Sequence, residues 1–252
     1  MTQLSTFRLS LEYDGTRFAG WQVQPAERTV QGELERALGI LLRHDVRVLA
    51  SGRTDAGVHA LGQVCTFRTD VEIAEGRLIR GLNGILPKDV AVWAAEPVAS
   101  DFHPRFRAQG KHYRYRILAR PARAAVDRAR CWHVHEPLDP ERLQRALDPL
   151  VGTHDFHSFR AADCPNKDPV KTVRSASVTT DRPPFVEIDI VASGFLKQMV
   201  RIVVGTAVEV AIGRREPEDV ASILAARDRQ LAGRTAPARG LFLMRVIYGE
   251  GD

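Results

Sequence analysis

SGRTDAGVHALGQ, residues 51–63, separates two short stretches rich in β-branched residues, VRVLA (46–50) and VCTFR (64–68). Both stretches have the composition of β-strands, so the sequence predicts a hairpin with this segment as its connection. A hairpin turn needs only about two to five residues, whereas this connection has about a dozen, with three glycines and one carboxylate, Asp55. We therefore expect the segment to position a functional group as well as to reverse the chain.

The surrounding sequence predicts elements in the order β-α-β-β-α-β. Apolar and polar residues alternate over 7–13, as in a half-buried strand, and apolar residues recur at helical spacing behind Thr29, a favoured N-cap residue. A second helix is expected to end before Pro87, and residues 90–98 are expected to form a strand. The remainder has a similar order, with strands at 111–118, 171–180, 185–193 and 241–248 and helices at 139–152, 195–213 and 217–226.

These elements predict an α+β protein made of two ferredoxin-like halves, residues 1–105 and 106–252. Their antiparallel sheets are expected to lie side by side around a central cleft, which is a usual place for an active site. A chain of 252 residues is long enough to bury two such cores.

The composition, 44% hydrophobic and 27% charged, is typical of a soluble globular protein. No apolar run approaches the roughly 18 residues of a membrane span, and residues 1–10 lack the pattern of a signal peptide. Cys65, Cys131 and Cys164 are widely spaced, which argues against a disulfide framework and against a structural zinc site. We therefore expect a cytoplasmic protein without a membrane segment.

Positive charge is concentrated in residues 101–130. The whole chain has 36 Lys and Arg against 31 Asp and Glu, a net charge of +5, whereas this segment has nine basic and two acidic residues, a net charge of +7. Aromatic residues interleave with the basic ones, at Phe102, Phe106, Tyr113 and Tyr115. Basic side chains bind phosphates and aromatic rings stack on bases, so the segment indicates either a nucleic-acid surface or a solvated strand face.

Asp55 and Arg201 are the residues that most suggest chemistry. An aspartate in a loop is more often an Asx-turn acceptor than a catalyst. Arg201, however, lies in the apolar segment MVRIVVG (199–205), where a buried guanidinium needs an acidic partner, and Lys197 and Gly205 are expected on its helical face. A carboxylate held by Arg201 would stay ionised, as a nucleophile must, although an ordinary ion pair or a side chain that reaches water is the alternative. Spacing alone does not identify Asp55 as the partner.

GRTDAGVHALGQV (52–64) resembles the signature loop of the tRNA pseudouridine synthase A family. Seven further blocks resemble blocks of that family in the same order: YDGTRFAGWQVQ (13–24), TVQGELERAL (29–38), NGILPKDVAV (83–92), FHPRFRAQGKHYRYRI (102–117), HDFHSFR (154–160), GFLKQMVRIVVG (194–205) and ARGLFLMRVIY (238–248). The resemblance covers essentially the whole chain. It implies an isomerase that breaks the glycosidic N–C bond of a uridine in tRNA, turns the uracil over and rejoins it through carbon.

The resemblance also assigns roles to five residues. Asp55 matches the catalytic aspartate, Tyr113 the active-site tyrosine that stacks on the extruded uracil, and Arg201 the arginine that pairs with the aspartate. Leu241 matches an apolar residue that packs against the base, and Arg53 is expected to contact a phosphate or the flipped nucleotide. The resemblance further implies a homodimer that acts on uridines at tRNA positions 38–40, in the anticodon stem-loop, without a metal or a cofactor.

Two other functions stay open at this point. EYDGT (12–16) is similar to the loop of aspartate-nucleophile phosphatases, although Glu12 stands where those enzymes have aspartate, and magnesium-dependent phosphatase activity would identify that class. A non-catalytic RNA-binding module is the second alternative, but the aromatic pattern of such sheets is missing here. Asp55→Ala separates the enzyme from the module, since an enzyme would lose activity while still binding tRNA.

Overall fold

The computed structural model describes residues 4–249 of the chain and divides it into two compact units. Unit 1 is Met1–Gln109 together with Leu243–Asp252, and unit 2 is Gly110–Phe242. Both units combine helices with largely antiparallel strands, which confirms the predicted α+β class. The expectation about a signal peptide falls partly on residues 1–3, which lie outside the described residues.

Unit 1 combines a sheet with two helices. Its elements are β1 (Ser5–Tyr13), α1 (Val30–Leu42), β2 (Leu49–Ala50), β3 (His59–Thr69), α2 (Glu75–Ile85) and β4 (Val90–Val98). β1 lies between β3 and β4 and pairs antiparallel with both. The alternation in β1 has the predicted effect, because its apolar residues are buried and Phe7 stacks on Phe67 of β3 at a centroid distance of 5.6 Å.

The start of α1 is fixed by side chains. Thr29 is the N-cap, as predicted, and its hydroxyl accepts the N–H of Gly32 at 3.2 Å. Arg28 donates to both carboxylate oxygens of Asp89 at 2.8 Å and to Glu33 in the first turn of the helix at 2.9 Å. These bonds from Arg28 hold the pKa of Asp89 below its ordinary value. α1 is thereby tied to the residue that precedes β4.

The hairpin predicted at residues 46–68 forms, but the predicted bounds of its two strands are wrong. Val46 and Val48 are buried but belong to no strand, so β2 contains only two residues, and β3 begins at His59. The connection is therefore residues 51–58, because the second part of the glycine-rich stretch belongs to β3. Pairing with β1 explains this, since Gln63 and Ala60 lie opposite Leu11 and Tyr13. A distant strand thus overrides the loop-like local sequence.

Unit 2 combines strands with three helices. Its elements are β5 (Gly110–Ala119), β6 (Trp132–Val134), α3 (Pro140–Leu147), β7 (Gly152–Asp155), β8 (Val170–Thr179), β9 (Phe185–Ala192), α4 (Met199–Ala211), α5 (Asp219–Ala226) and the first residues of β10 (Leu241–Ile247). The strands are ordered β5-β9-β8-β7 with antiparallel pairing, and β6 lies parallel to β5. The short strands β6 and β7 carry no distinct sequence signal and were not predicted.

The two faces of β5 differ in chemistry. Tyr113, Tyr115 and Ile117 are buried on one face, as their alternation predicts. The opposite face is charged: Arg114 forms ion pairs with Asp189 at 3.0 Å and with Glu187 at 2.9 Å on β9. α4 packs on the apolar side of this sheet, where Met199, Val200 and Val203 meet residues of β8 and β9, Val173, Ala176 and Ile190.

α4 is shorter than predicted. The apolar pattern predicts a helix from residue 195, but α4 begins at Met199 because Gln198 has a φ of +61°, in the left-handed region. Lys197 therefore lies outside the helix, where its ammonium group binds Asp163, and it does not share a helical face with Arg201 as expected. The prediction of a buried apolar helix around Arg201 is confirmed, since nearly all its other residues are buried.

Candidate active site

Asp55 lies in a loop that unit 1 holds from both sides. Its neighbour Thr54 accepts the N–H of Trp21 at its carbonyl oxygen (3.1 Å), and Gly57 donates its N–H to the carbonyl of Phe18 (3.3 Å). Within the loop, Val58 donates to the carbonyl oxygen of Asp55 at 3.1 Å, which closes a turn directly after the carboxylate. Asp55 itself is half-buried. The segment between β1 and α1 thus serves as a cradle for the loop.

Two glycines permit the close approach of this cradle. A Cβ on Gly15 would lie 2.0 Å from the carbonyl oxygen of Val58, and one on Gly20 would lie 2.8 Å from that of Thr54. Gly20 also has a φ of +103°, which other residues rarely adopt. The glycines of YDGTRFAGWQVQ are therefore required by contact with the Asp55 loop rather than by a turn of their own.

A buried polar network lies under the same loop. The hydroxyls of Tyr13 and Thr54 are hydrogen-bonded at 2.8 Å, and the amide of Gln63 donates to the Tyr13 oxygen at 3.4 Å and to the carbonyl of Gly52 at 3.0 Å. Ser51 donates to the Gln63 side-chain oxygen at 2.8 Å. Burial raises the pKa of Tyr13 to about 12, so its hydroxyl stays protonated. The network holds the first half of the loop, since it reaches Ser51, Gly52 and Thr54.

His59 holds the first residues of the cradle, Asp14 and Gly15. It is buried at the start of β3, and its Nδ1 accepts the N–H of Gly15 at 3.1 Å and lies 3.2 Å from a carboxylate oxygen of Asp14. Asp14 in turn accepts the N–H of Thr16 at 3.0 Å. The residues of EYDGT thus hold the backbone beside the loop.

Arg53 and Asp55 both belong to unit 1, but their environments differ. The side chain of Arg53 is exposed, whereas Asp55 is half-buried and Thr54 between them points into the polar network. An exposed arginine next to a sheltered carboxylate can reach a ligand in solvent.

Tyr113 and Arg201 belong to unit 2. Tyr113 lies on β5 opposite Ile190 and is 8% exposed, and its ring makes an edge contact with Phe195 at 5.0 Å. Arg201 is half-buried in the first turn of α4. Its Nε donates to the carbonyl of Ala236 at 2.8 Å, and Ala236 donates its N–H back to the carbonyl of Arg201 at 3.0 Å. These two bonds fix the orientation of the guanidinium.

Leu241 is connected to Arg201 through the segment 233–240, which we call the strap. The strap lies directly on α4 and β5: a Cβ on Gly205 would be 1.7 Å from the carbonyl oxygen of Arg234, and one on Gly240 would be 2.6 Å from the ring of Tyr115. Tyr115 also donates its hydroxyl to the strap carbonyl of Pro237 at 2.7 Å. Leu241 follows immediately as the first residue of β10 and is buried.

Tyr115 is a site residue that sequence reasoning missed. It is fully buried beside Tyr113, and burial raises the pKa of its hydroxyl, although Arg201, Arg239 and Arg234 lie close enough to oppose that rise. The sequence offers two signals, its place among the aromatic residues of the basic segment and its alternation with Tyr113, and neither indicates the contact with the strap.

The described residues hold no arrangement that suggests a metal centre. Between residues 4 and 249, no three His, Cys, Asp or Glu side chains are grouped so that they could bind a metal ion. No helix in that range is both long and apolar enough to cross a bilayer.

Comparison with known proteins identifies the family. The sequence model described as tRNA pseudouridine synthase matches residues 10–107 and 146–249. The chain belongs to the tRNA pseudouridine synthase family. The tRNA pseudouridine synthase A of Myxococcus xanthus is 47% identical over 244 residues, which cover 97% of this chain and 92% of that protein. That of Geobacter sp. (strain M21) is 45% identical over 248 residues, covering 98% and 100%.

The two ranges matched by the tRNA pseudouridine synthase model include four of the five candidate residues. Arg53 and Asp55 lie in the first matched range, and Arg201 and Leu241 in the second, whereas Tyr113 falls between the two ranges. The full-length relatives align across that gap. Among solved structures, Thermus thermophilus Cse3 bound to RNA aligns with 15% identity over 84% of this chain and 96% of that chain, at a TM-score of 0.19, which supports no conclusion.

Proposed function

We propose that this chain isomerises uridine to pseudouridine in tRNA, with the carboxylate of Asp55 as nucleophile. The observation that carries the proposal is the way unit 1 holds Asp55, since Thr54 before it and Val58 after it are both fixed by the cradle. A reacting atom has to be held to a fraction of an ångström, so rigid support of one acidic side chain favours catalysis. Membership of the tRNA pseudouridine synthase family supplies the reaction class.

The reaction exchanges one bond for another without oxidation or reduction. The bond between uracil N1 and ribose C1′ breaks, the base turns over, and a bond forms between C5 and C1′ as C5 loses its proton and N1 gains one. A carboxylate can attack the ribose or the uracil ring, or promote loss of the base as a glycal, and every route needs Asp55 ionised beside an extruded base. None of these steps calls for a metal ion or a cofactor.

The remaining candidate residues are proposed to assist the same reaction. Tyr113 offers a ring on which uracil stacks, which offsets part of the few kcal/mol that base extrusion costs. Arg201, whose orientation the strap fixes, keeps a carboxylate ionised. Leu241 packs against the base, and the exposed Arg53 binds a phosphate.

We propose uridines 38–40 of the anticodon stem-loop as targets, and a cytoplasmic homodimer as the acting form. An enzyme that accepts neighbouring positions in varied sequences has to recognise the shape and backbone of the RNA rather than base edges. The basic residues within 105–130 suit that mode, because each neutralised phosphate releases counterions and adds affinity.

We also propose that each unit is ferredoxin-like and that the halves 1–105 and 106–252 are the functional domains. Support comes from strand order: in unit 1, β4, β1 and β3 are neighbours and β2 pairs with β3, and in unit 2, β5, β9 and β8 are neighbours. In unit 1 the first strand, β1, lies next to the third, β3. In unit 2 the first strand, β5, lies next to β9, which is the third when the short strands β6 and β7 are left out, as the β-α-β-β-α-β arrangement requires.

Tritium release tests the proposed reaction. Unmodified tRNA transcripts with tritium at uracil C5 are incubated with the protein in the presence of EDTA, and a matched transcript has cytidine at positions 38–40. We expect tritium in water from the first transcript and none from the second. Release from both transcripts would contradict the proposed positions, and release from neither would contradict the reaction.

A further inference from the structure

Unit 1 presents an exposed aromatic side chain between two arginines. Phe106 is 77% exposed, more than Trp93 at 55%. A single exposed apolar residue needs no explanation by itself. Phe106, however, is flanked in sequence by Arg105 and Arg107 and packs against the tilted ring of His103, so its surroundings are those of a binding surface rather than of a stray hydrophobic residue. We call residues 101–107 the aromatic turn.

The aromatic turn is held by two contacts with Tyr248 and by a hydrogen bond of its own. Tyr248 donates its hydroxyl to the carbonyl of Pro104 at 2.8 Å. Phe102 is buried and packs on the Tyr248 ring at 5.5 Å. Within the turn, Arg107 donates its N–H to the carbonyl of His103 at 3.0 Å. A contact made by such a turn costs little conformational entropy when a ligand binds.

The geometry around Phe106 leaves a ring surface for stacking. The His103 ring lies 4.2 Å away at an interplanar angle of 35°, and its Nδ1 accepts the N–H of Arg105 at 3.2 Å, which fixes the imidazole. The Arg105 guanidinium lies 5.9 Å from the centre of the Phe106 ring. With 77% of Phe106 exposed, the part of the ring that His103 does not cover faces solvent.

We propose that Phe106 stacks on an unpaired base of the tRNA substrate, at a position other than the uridine that is isomerised, while Arg105 binds an adjacent phosphate. Aromatic stacking with flanking positive charge is a common way in which proteins hold single-stranded nucleotides. The inference rests on the proposed function for the identity of the RNA, but it assigns a contact that Asp55 and the other candidate residues do not make.

The charge of the aromatic turn favours RNA over a second copy of the chain as the partner that Phe106 binds. In a two-fold contact centred on Phe106, each copy would bring Arg105 and Arg107 next to the same two arginines of the other. Asp101, which accepts a bond from Arg107 at 3.1 Å, is the only acidic residue of the turn. A surface with this charge repels its own copy and attracts a polyanion.

Substitution of Phe106 tests the stacking contact. Binding is measured in the Asp55→Asn background, so that the unmodified tRNA transcript is not converted. We expect Phe106→Ala to weaken tRNA binding by about tenfold, the loss of one base–aromatic stack of roughly 1.4 kcal/mol. Phe106→Trp should bind within about twofold of the parent, whereas Phe106→Leu should resemble the alanine variant, because it is apolar but has no ring.

Two further variants serve as controls. Trp93→Ala removes another exposed aromatic residue of unit 1 and should leave tRNA affinity unchanged. Arg105→Gln should reduce the slope of log affinity against log salt by about 0.7 to 0.9, whereas Phe106→Ala should lower affinity without changing that slope.

Each alternative has its own outcome. Unchanged tRNA affinity in Phe106→Ala, or parental affinity in Phe106→Leu, overturns the stacking contact. A shift of Phe106→Ala to a smaller species in sedimentation, at parental RNA affinity per chain, would assign the surface to a second copy and also overturn it. Failure of the wild-type protein to release tritium would contradict the proposed function instead, and the binding series would still decide the contact.

Discussion

Tyr13 supports the residues directly before Asp55 through a single hydroxyl. Its oxygen is hydrogen-bonded to Thr54 and accepts from Gln63, which also holds the carbonyl of Gly52. A buried network of this kind is valuable only when every member has a partner. The position of Asp55 therefore depends on a residue that is far from it in sequence.

Tyr13→Phe is predicted to slow tritium release under single-turnover conditions by roughly 10- to 100-fold, because a small displacement of a nucleophile costs that much. The loss of two buried hydrogen bonds should also lower the free energy of unfolding by about 1–3 kcal/mol. Urea unfolding and single-turnover assays at saturating tRNA measure the two effects separately.

Asn83→Ala is the matched control for Tyr13→Phe. The Asn83 amide donates to the carbonyl of Val92 at 2.7 Å and accepts the N–H of Val92 at 2.8 Å, away from the Asp55 loop. This variant should lose similar stability without losing rate. Equal rates in Tyr13→Phe and the parent would contradict the proposed role of the network.

At the scale of elements, the segment between β1 and α1 and the Asp55 loop are built as one piece. Position 15 requires glycine because a Cβ there would lie 2.0 Å from the carbonyl oxygen of Val58. Neither segment can shift without the other, so the cradle contributes to the site as well as to the core.

Gly15→Ala is predicted to lower the free energy of unfolding by more than about 2 kcal/mol and to impair tritium release, since backbone has to move to admit the methyl group. Gly84→Ala is the matched substitution, because a Cβ there meets nothing within 4 Å and Gly84 lies in α2. It should stabilise the protein by up to about 1 kcal/mol. Similar stabilities of the two variants, from urea unfolding, would contradict the close packing at Gly15.

The junction of α1 with the residues before β4 should respond to acid. Arg28 lowers the pKa of Asp89, so Asp89 stays ionised in the folded protein at a pH where it is already protonated in the unfolded chain. Its contribution is complete above the unfolded pKa of about 3.9 and is lost as pH falls through the folded value. Asp89→Asn should therefore be less stable at pH 7 and lose less stability than the parent on acidification below about pH 4. Parallel stability curves in urea titrations would refute this assignment.

At the scale of the whole molecule, positive charge is concentrated in one stretch of the sequence. The excess of seven positive charges within residues 101–130 exceeds the net charge of the entire chain, +5. Arg123 and Arg128 are exposed in this segment. Such residues add affinity for RNA without selecting a sequence.

Arg123→Gln and Arg128→Gln together are predicted to weaken tRNA binding at low salt and to reduce the salt slope by about 1.4 to 1.8. Arg36→Gln is the control, because Arg36 is an exposed arginine on α1 that is paired with Glu33 at 3.1 Å. It should leave the slope unchanged. An equal change of slope in both proteins, measured by filter binding across a salt series, would mean that the segment has no special role.

The sequence predicts local structure better than long-range contacts. Thr29 as N-cap, the alternation in β1 and the buried face of Tyr113 are matched by the structure because each depends on neighbours a few residues away. The other features depend on distant residues or on backbone conformation. β3 begins early because it pairs with β1, and α4 begins late because Gln198 is left-handed. Tyr115 is tied to the strap by its hydroxyl. The long glycine-rich loop drew attention to Asp55, but its proposed role as nucleophile came from the resemblance, because the residues that hold the loop, within 15–21, lie more than 30 residues earlier.

The most direct test of the central claim is tritium release by Asp55→Asn beside Arg53→Gln, two substitutions in one loop. Asparagine keeps the size of the side chain and removes the charge that a nucleophile needs. We predict that Asp55→Asn slows single-turnover release by about a thousandfold or more at near-parental tRNA affinity, whereas Arg53→Gln mainly weakens binding. Release by Asp55→Asn within about tenfold of the parental rate would contradict the assignment of Asp55 as the nucleophile.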